Sequence, residues 1–368
     1  MKILSILGTR PEAIKMAPVI KELEKHPQEL KSLICVTGQH RQMLDQVLEL
    51  FGIHPDIDLN LMQPNQRLAV LTARLFETLD SVIEETRPDW ILAQGDTTTV
   101  FVSAVMAYYH DIRFGHVEAG LRTLDKRRPF PEEMNRRLAD AATDAWFAPT
   151  ERARRALLTE GFPEAGIHVT GNTIVDALLE ISQRSFDWRK SALGGIPMEG
   201  RMVLITAHRR ESFGEPFREL CQAIRELAGS FPEIHFVYPV HLNPNVRRPV
   251  GEILDGLENV HLIEPVDYLT LVHLMKRSVL ILTDSGGIQE EAPTFAVPVL
   301  VMRDTTERPE GVEAGVARLV GTRREKIVAE AAAVLRNGSW IDNSQGTVNP
   351  YGDGQAARRI VDFLRSTA

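Results

Sequence analysis

The sequence predicts an α/β protein built on parallel sheets, because short apolar runs alternate with longer amphipathic segments along the chain. Strands that are apolar on both faces are typical of parallel sheets with helices on either side. This alternation occurs in two series, separated by a poorly periodic, Gly- and Pro-containing stretch at residues 193–201. A chain of 368 residues is long enough for two domains.

The first series predicts strands at Ile3–Leu7, Ser32–Thr37, Trp90–Ala93, Arg113–Val117 and Ala145–Ala148, and helices at Pro11–Lys25, Arg41–Phe51, Leu68–Thr86 and Thr98–His110. The second series predicts strands at Met202–Thr206, Ile234–Pro239, Val260–Ile263, Val279–Thr283 and Val297–Met302. A last helix, about Gln355–Ser366, has an apolar stripe that must be buried. We expect the boundary between the domains near Gly171-Asn172-Thr173.

Composition argues against several classes of protein. The chain has 43% hydrophobic and 25% charged residues, which is typical of a globular protein. A net charge of -8 without a polybasic run argues against nucleic acid or a membrane surface as partner. Cys35 and Cys221 lie in apolar segments, so no disulfide framework is expected and the chain suits the cytoplasm. No run has the length of a transmembrane helix or a signal peptide.

Polar loops follow most of the predicted strands. Ligands bind at the carboxyl ends of parallel strands, so these loops are the predicted site. Their residues are rich in Gly, Arg, His and acids, and they are Gly8-Thr9-Arg10, Gly38-Gln39-His40, Gln94-Gly95-Asp96, Glu118-Ala119-Gly120, His208-Arg209-Arg210, His241 and Ser285-Gly286-Gly287.

The segment DSGGIQEEA, from Asp284 to Ala292, predicts half of a nucleotide site. After a buried strand, Ser285-Gly286-Gly287 is expected to form a turn and Ile288 to begin a helix whose N-terminus suits a phosphate. Glu290 and Glu291 follow where a carboxylate can accept hydrogen bonds from ribose hydroxyls. The alternative is an ordinary strand–turn–helix connection. The segment matches neither the dinucleotide nor the P-loop fingerprint.

Three acids, Asp96, Glu118 and Glu132, lie at or near strand ends. Carboxylates that share a cleft can take separate acid and base roles. The alternatives are an N-cap for Asp96 and a helix start for Glu132, whereas Glu118 directly follows an apolar strand. His208 ends a strand beside two arginines, where it could donate to a phosphate, although a lone histidine is more often structural.

Several cations follow strands as well. Arg10 and Lys15 lie about one helical turn apart and could hold a diphosphate, unless they only solvate a helix start. Arg303, Glu307 and Arg308 form a charged loop, for which the alternative is an ordinary surface loop. Scattered histidines without an HExxH motif argue against a metal site, and no cofactor is expected.

Ten segments together resemble the non-hydrolysing UDP-N-acetylglucosamine 2-epimerases. In chain order they read GTRPEAIKMAPV, VTGQHRQML, QGDTTT, HVEAGLRT, PFPEEMNR, HRRESFG, PVHLNPNV, DSGGIQEEAP, VLVMRDTTERPE and NPYGDG. The resemblance implies a GT-B-like architecture, with two Rossmann-like domains facing across a deep cleft, and a cytoplasmic homodimer. The domains would be residues 1–171, onto which a C-terminal helix at about 353–368 packs back, and residues 172–352.

The resemblance also implies a reaction. The family interconverts UDP-GlcNAc and UDP-ManNAc, and the chemistry favours elimination and re-addition of UDP through a 2-acetamidoglucal-type intermediate. Alternatives are a hydrolysing relative that releases UDP and ManNAc, a GT-B glycosyltransferase, and a catalytically silent UDP-sugar sensor. The residues implied in catalysis are Asp96, Glu118, Glu132 and His208. Those implied in binding the UDP-sugar are Arg10, Lys15, Ser285, Gly286, Gly287, Glu291 and Arg308.

Two ligand sites depart from the family pattern. In the uracil segment, Glu264–Leu271, Val266 stands where a Gln can occur and Leu271 where a Phe can stack. Some members bind a second UDP-GlcNAc as an activator, at positions that match Gln39, Gln42, Arg209 and His241. Asn65 stands where some of those members have Arg.

Overall fold

The structure is a computed structural model that describes residues 1–38, 41–61, 66–191, 193–197, 199–341 and 349–367, with the side chains of residues 41–43 left out. The chain forms two compact units, Met1–Ala177 with Tyr351–Ala368, and Leu178–Pro350. The division into domains at residues 171 and 352 stays a prediction, because a compact unit is not in itself a domain that folds alone.

Seven parallel strands form the sheet of the first unit, in the order β3-β2-β1-β4-β5-β6-β7. They are β1 Lys2–Leu7, β2 Lys31–Val36, β3 Ile57–Asp58, β4 Trp90–Gln94, β5 Arg113–Val117, β6 Ala145–Ala148 and β7 Ile167–Val169. The helices are α1 Arg10–Glu24, α2 Arg41–Phe51, α3 Leu68–Thr86, α4 Thr98–Tyr109, α5 Glu132–Ala141, α6 Glu151–Thr159, α7 Thr173–Ser182, which runs on into the second unit, and α14 Ala356–Ser366. The strand order reverses between β1 and β4, which is the topological switch point.

The second unit repeats this plan with six parallel strands in the order β10-β9-β8-β11-β12-β13. They are β8 Arg201–Thr206, β9 Ile234–Pro239, β10 Val260–Ile263, β11 Leu280–Thr283, β12 Val299–Val301 and β13 Ala317–Leu319. The helices are α8 Glu215–Ser230, α9 Pro244–Leu254, α10 Tyr268–Arg277, α11 Gly286–Glu291, α12 Pro309–Glu313 and α13 Arg324–Asn337. Its switch point lies between β8 and β11, and the predicted class of two Rossmann-like sheets is confirmed.

Burial explains why these segments form these elements. The central strand β1 is buried on both faces from Ile3 to Leu7, as a parallel strand covered by helices requires. Helix α3 buries Leu71, Leu75 and Leu79 at a helical spacing and exposes its other side. The predicted strands are present, whereas β3, β7 and β13 escaped prediction because two or three residues show no periodicity. No helix in the described ranges is long and apolar enough to cross a bilayer.

A half-buried carboxylate holds the C-terminal helix α14 in the first unit. Asp176 on α7 accepts hydrogen bonds from the backbone N–H groups of Ala356 at 3.3 Å and Ala357 at 3.0 Å, where α14 begins. Further along α14, the ring of Phe363 packs edge-on against Trp90 and Phe147. Burial raises the pKa of Asp176 to about 6, and the N–H donors oppose this shift only in part.

The raised pKa makes the stability of the first unit dependent on pH. Asp176 shifts from 3.8 to about 6, so its contribution to the free energy of unfolding is fully present below about pH 4 and is lost as the pH rises through about 6. The loss is roughly 3 kcal/mol at about 1.4 kcal/mol per pKa unit. We expect urea titrations to show wild type losing about this much stability relative to Asp176→Asn between about pH 4 and 7.

An exposed carboxylate on α14 provides the control. Asp362→Asn should change the free energy of unfolding by a similar amount at both ends of this pH range, because the Asp362 side chain is half exposed. If the difference in free energy of unfolding between wild type and Asp176→Asn stays constant with pH, the raised pKa of Asp176 is contradicted.

Candidate functional site

The switch point of the first unit brings the loops after β1 and β4 together through one carboxylate. Thr9 caps α1, and Glu12 completes a capping box. Glu12 Oε2 accepts from the backbone N–H groups of Gly8 at 2.6 Å and Thr9 at 2.7 Å. Its Oε1 accepts from the Thr97 hydroxyl at 2.5 Å. Burial raises the pKa of Glu12, and these hydrogen-bond donors counter that effect only in part.

Lys15 and Glu118, both predicted site residues, are in contact. Lys15 Nζ lies 2.5 Å from Glu118 Oε1, and Asn172 donates to the same oxygen at 3.1 Å. The side-chain amide of Gln94 donates to the other carboxylate oxygen. Glu118 is thus held by donors from α1, from the end of β4 and from the loop after β7.

The backbone of Glu118 has an unusual conformation. Its φ is +68°, which is uncommon for a residue with a side chain. The N–H groups of Glu118 and Ala119 both donate to the Phe147 carbonyl, at 3.0 and 3.2 Å, and this fixes the turn after β5. Such outliers cluster at functional sites, where the surrounding structure imposes them.

Asp96 is bound by helix α5 and does not cap α4. Arg136 Nη2 lies 2.5 Å from Asp96 Oδ2, and the Asn135 amide donates to the Asp96 carbonyl at 3.0 Å. The N-cap interpretation of Asp96 is wrong, because Thr97 is the residue in the capping position and accepts from the Val100 N–H.

Glu132 is the first residue of α5. It precedes Asn135 and Arg136 by three and four positions, so the three side chains share one face of the helix. Glu132 Oε2 is buried and has no hydrogen-bond partner among the described residues. The face of α5 that holds Asp96 therefore also presents an unpartnered carboxylate oxygen. Arg10, by contrast, is half-buried at the start of α1.

In the second unit, Asp284 joins the loops at the switch point. Its Oδ2 accepts from the backbone N–H groups of His208 and Arg209, each at 2.7 Å. Its Oδ1 is buried without a hydrogen-bond partner in the described chain and lies 3.9 Å from His208 Nδ1. The His208 ring stacks on the His241 ring at 5.1 Å between centroids. Burial lowers the pKa of His208, and the attraction of Asp284 does not offset it.

The glycines after β11 lie inside helix α11, so the predicted turn at Gly286-Gly287 and helix start at Ile288 are wrong. Ser285 is the N-cap, and Gly286 is the first helical residue. A Cβ on Gly286 would lie 3.3 Å from Arg209 Nη2 and 3.9 Å from Arg308 Nη2. A side chain at this position would crowd the Arg209 guanidinium, whereas Arg308 would be at ordinary contact distance.

A buried side chain supports this arrangement. Gln289 donates to the Ser285 carbonyl at 3.1 Å and accepts from the Thr306 hydroxyl at 2.6 Å, and Thr306 in turn accepts from the Arg308 N–H at 3.0 Å. Arg308 also donates to Glu290. The Glu291 carboxylate extends back along α11, since its Oε1 is 3.7 Å from a Cβ built on Gly287.

The remaining predicted positions are less closely grouped. Val266 follows β10, Leu271 lies in the first turn of α10, and both are half-exposed at the carboxyl edge of the sheet. Gln39 and Asn65 lie outside the described residues, and the side chain of Gln42 is not described. Within the described ranges, no three His, Cys, Asp or Glu residues are grouped as metal ligands are.

Sequence reasoning placed Gln94 in a strand-end loop without assigning it a contact, and it missed four other contacting residues. Asn172 lies just after β7, a strand that the sequence did not predict. Arg136, Gln289 and Thr306 are in helices or loops, and their contacts depend on tertiary packing that the spacing does not encode.

Two doubly wound sheets, each with charged loops at its switch point, define an enzyme of the nucleotide-binding α/β class. A family model described as UDP-N-acetylglucosamine 2-epimerase matches residues 21–365. The chain belongs to this family of enzymes. A UDP-N-acetylglucosamine 2-epimerase of Salmonella typhimurium is 50% identical over 372 residues, which cover 100% of this chain and 99% of that protein.

Solved structures of UDP-GlcNAc 2-epimerases are similar to this chain as well. The crystal structure of UDP-GlcNAc 2-epimerase from Neisseria meningitidis bound to UDP-GlcNAc has a TM-score of 0.89 and 46% identity, with 100% of both chains covered. The Methanocaldococcus jannaschii enzyme in complex with UDP-GlcNAc and UDP has a TM-score of 0.81 and 34% identity, again with 100% of both chains covered.

The role of Glu12 can be tested through stability. Glu12→Gln places an amide group among three donors, so at least one hydrogen bond is lost in a buried site. We expect the free energy of unfolding to fall by about 1–3 kcal/mol. Urea denaturation measures this change, with Glu24→Gln as the control because Glu24 is exposed at the other end of α1. Equal free energies of unfolding for Glu12→Gln and Glu24→Gln would refute the role of the Glu12 carboxylate in joining the loops after β1 and β4.

Proposed function

We propose that the protein interconverts UDP-GlcNAc and UDP-ManNAc by inverting C2 of the sugar, without net hydrolysis. Family membership and the relatives bound to UDP-GlcNAc and UDP support this substrate. The observation that carries the proposal is the arrangement of Glu118 at the carboxyl edge of the first sheet. Its carboxylate pairs with Lys15 and accepts a hydrogen bond from Asn172. A carboxylate oriented by several donors suits proton transfer at a fixed atom.

The reaction we propose is elimination followed by re-addition. The C2 proton is not α to a carbonyl, so its removal alone would leave an unstabilised carbanion. If the C2–H electron pair instead forms a C1=C2 double bond, the C1–O bond breaks and UDP leaves with that bonding pair. UDP oxygen then adds back to C1, and a proton is delivered to C2 from the opposite face. No oxidant is needed, and atoms and charge balance.

The first unit would supply proton transfer. Asp96, Glu118 and Glu132 are the candidate acid and base groups, since opposite faces of C2 must be served by different groups. The buried Oε2 of Glu132, which has no hydrogen-bond partner among the described residues, supports such a role, because the substrate would supply that partner. Arg10 and Lys15 would contact the nucleotide-sugar and its phosphates.

The second unit would hold UDP in both its bound and its released state. Arg308 at the backbone of Gly286 forms a cationic pocket for the diphosphate, with Ser285 and Gly287 beside it. Glu291 would accept from the ribose hydroxyls, and Val266 and Leu271 would contact uracil. Burial lowers the pKa of His208 and so disfavours its charged form, and the negative charge that develops on the leaving diphosphate would oppose this effect.

One experiment separates the proposal from its alternatives. UDP-GlcNAc is incubated with the protein in D2O and followed by NMR. The proposal requires UDP-ManNAc to form and deuterium to appear at C2 of both nucleotide-sugars. Stoichiometric free UDP and ManNAc would instead identify a hydrolase, and unchanged UDP-GlcNAc would refute both reactions.

Glu118→Gln tests the proposed base site. We expect turnover to fall by about 10²- to 10⁴-fold, which is the usual contribution of a general acid or base. The dissociation constant for UDP, measured by calorimetry, should stay near the wild-type value because most of the residues proposed to contact UDP lie in the second unit. Glu84→Gln, an exposed carboxylate on α3, is the matched control and should turn over normally. Normal turnover by Glu118→Gln would remove Glu118 from the mechanism.

We further propose that the protein is a homodimer. Neighbouring helices α3, α4 and α5 expose large apolar side chains, most of all Tyr108 at 73% and Tyr109 at 69%. Met134 and Leu138 on the neighbouring helix α5 are partly exposed as well. Contiguous exposed apolar surface marks interaction sites.

If these exposed side chains form the dimer interface, a charge placed among them should lower the mass of the protein in solution. Tyr109→Glu would bury a carboxylate in that interface, so we expect analytical ultracentrifugation to show a shift from dimer toward monomer. Leu242→Glu changes an exposed apolar residue of the second unit and should leave the dimer intact. A dimer that survives Tyr109→Glu unchanged would place the interface elsewhere.

A further inference from the structure

His116 on β5 is fully buried, two residues before Glu118. Its Nδ1 lies 2.6 Å from Asp140 Oδ1, and its Nε2 lies 2.7 Å from the Gly95 carbonyl oxygen. A carbonyl can only accept, and so can a carboxylate in its charged form. Both ring nitrogens must therefore donate, which makes the ring a buried imidazolium ion.

The surrounding charges compensate this cation. Asp140 Oδ2 accepts from Arg122 at 2.7 Å, and Arg122 makes two further hydrogen bonds to Glu160, each of 2.8 Å. Burial by itself would raise the pKa of Asp140, but His116 and Arg122 outweigh it and hold that pKa below its usual value. Asp140 is thus the anion that balances the ring, and the network runs from the core to the surface.

Gly95 connects this network to the candidate acids. It lies between Gln94, which donates to Glu118, and Asp96. Its φ is +89°, and its N–H donates to the Val117 carbonyl at 3.0 Å. Both polar groups of Gly95 are therefore fixed by β5, the N–H by Val117 and the carbonyl by His116. The N–H belongs to the peptide group shared with Gln94 and the carbonyl to the peptide group shared with Asp96, so the His116 hydrogen bond restrains the peptide that carries Asp96.

We propose that His116 is a positioning residue, a doubly donating ring that locks the Gly95 carbonyl and so holds Asp96 and Glu118 in their relative positions. The inference rests on the proposed function of those two acids. His116 does not reach the substrate itself, because no part of its side chain is exposed.

Two isosteric substitutions separate positioning from simple stability. In His116→Gln, the amide nitrogen takes the place of Nε2, so the hydrogen bond to Gly95 is kept and that to Asp140 is lost. In His116→Asn, the amide nitrogen takes the place of Nδ1, so the hydrogen bond to Asp140 is kept and that to Gly95 is lost. Positioning predicts that Asn costs turnover while Gln costs thermal stability.

The measurement is kcat per UDP-binding site, counted by calorimetry so that unfolded protein does not contribute. We expect kcat to fall about 100-fold in His116→Asn, as misplaced catalytic groups do, and to stay within about tenfold of wild type in His116→Gln. The dissociation constant for UDP should stay unchanged in both. Equal kcat values for the two variants, or a loss confined to UDP affinity, would overturn the proposal.

A spectroscopic measurement tests the ring without substrate. In ¹⁵N-histidine-labelled wild type, the His116 resonances, assigned by their absence from His116→Asn, should show both ring nitrogens protonated. An unprotonated ring nitrogen would overturn the proposal. If wild type does not epimerise UDP-GlcNAc, the proposed function fails, and this spectrum still decides whether the ring donates twice.

Discussion

At each switch point, one buried carboxylate accepts hydrogen bonds from the loops that meet there. Glu12 accepts from the two N–H groups that follow β1 and reaches the loop after β4, whereas Asp284, in the loop after β11, accepts from the two N–H groups that follow β8. Strands β1 and β4 of the first sheet correspond to β8 and β11 of the second. The bridging carboxylate follows β1 in the first unit and β11 in the second, so the two carboxylates come from opposite sides of their switch points. A buried charge is tolerated only with several donors, and this requirement fixes the loops that carry the candidate site.

The two units differ in how their charged groups are arranged. In the first unit, carboxylates are held by neighbouring donors, as Glu118 is by Lys15. In the second unit, guanidinium groups lie close to the backbone of Gly286, and acids pair with them, as Glu290 does with Arg308. Oriented anions suit proton transfer, and a backbone lined with cations suits a diphosphate, so the chemistry we propose is divided between the units in the same way.

The sequence predicted the fold and the edge of the sheets at which the site residues lie, because both follow from apolar periodicity and from the rule that ligands bind at strand ends. It did not predict which side chains touch. The Glu118 contact with Asn172 spans 54 positions, and no local pattern reports it. The cap alternative for Asp96 and the turn at Gly286-Gly287 are wrong, because local propensity favours Asp as a cap and Gly as a turn, while the tertiary structure pairs Asp96 with Arg136 and begins α11 at Gly286.

The placement of α14 has a consequence for how the protein is made. The first unit comprises residues at both ends of the chain, and Phe363 packs against Trp90 and Phe147 in its interior. Domains commonly fold in the order in which the ribosome synthesises them. Here the first unit cannot be completed until Leu178–Pro350 have been translated, so the second unit has all of its residues before the first does. During synthesis the apolar surface that α14 will cover stays open to solvent, which makes this interval the one in which a chaperone has most to protect.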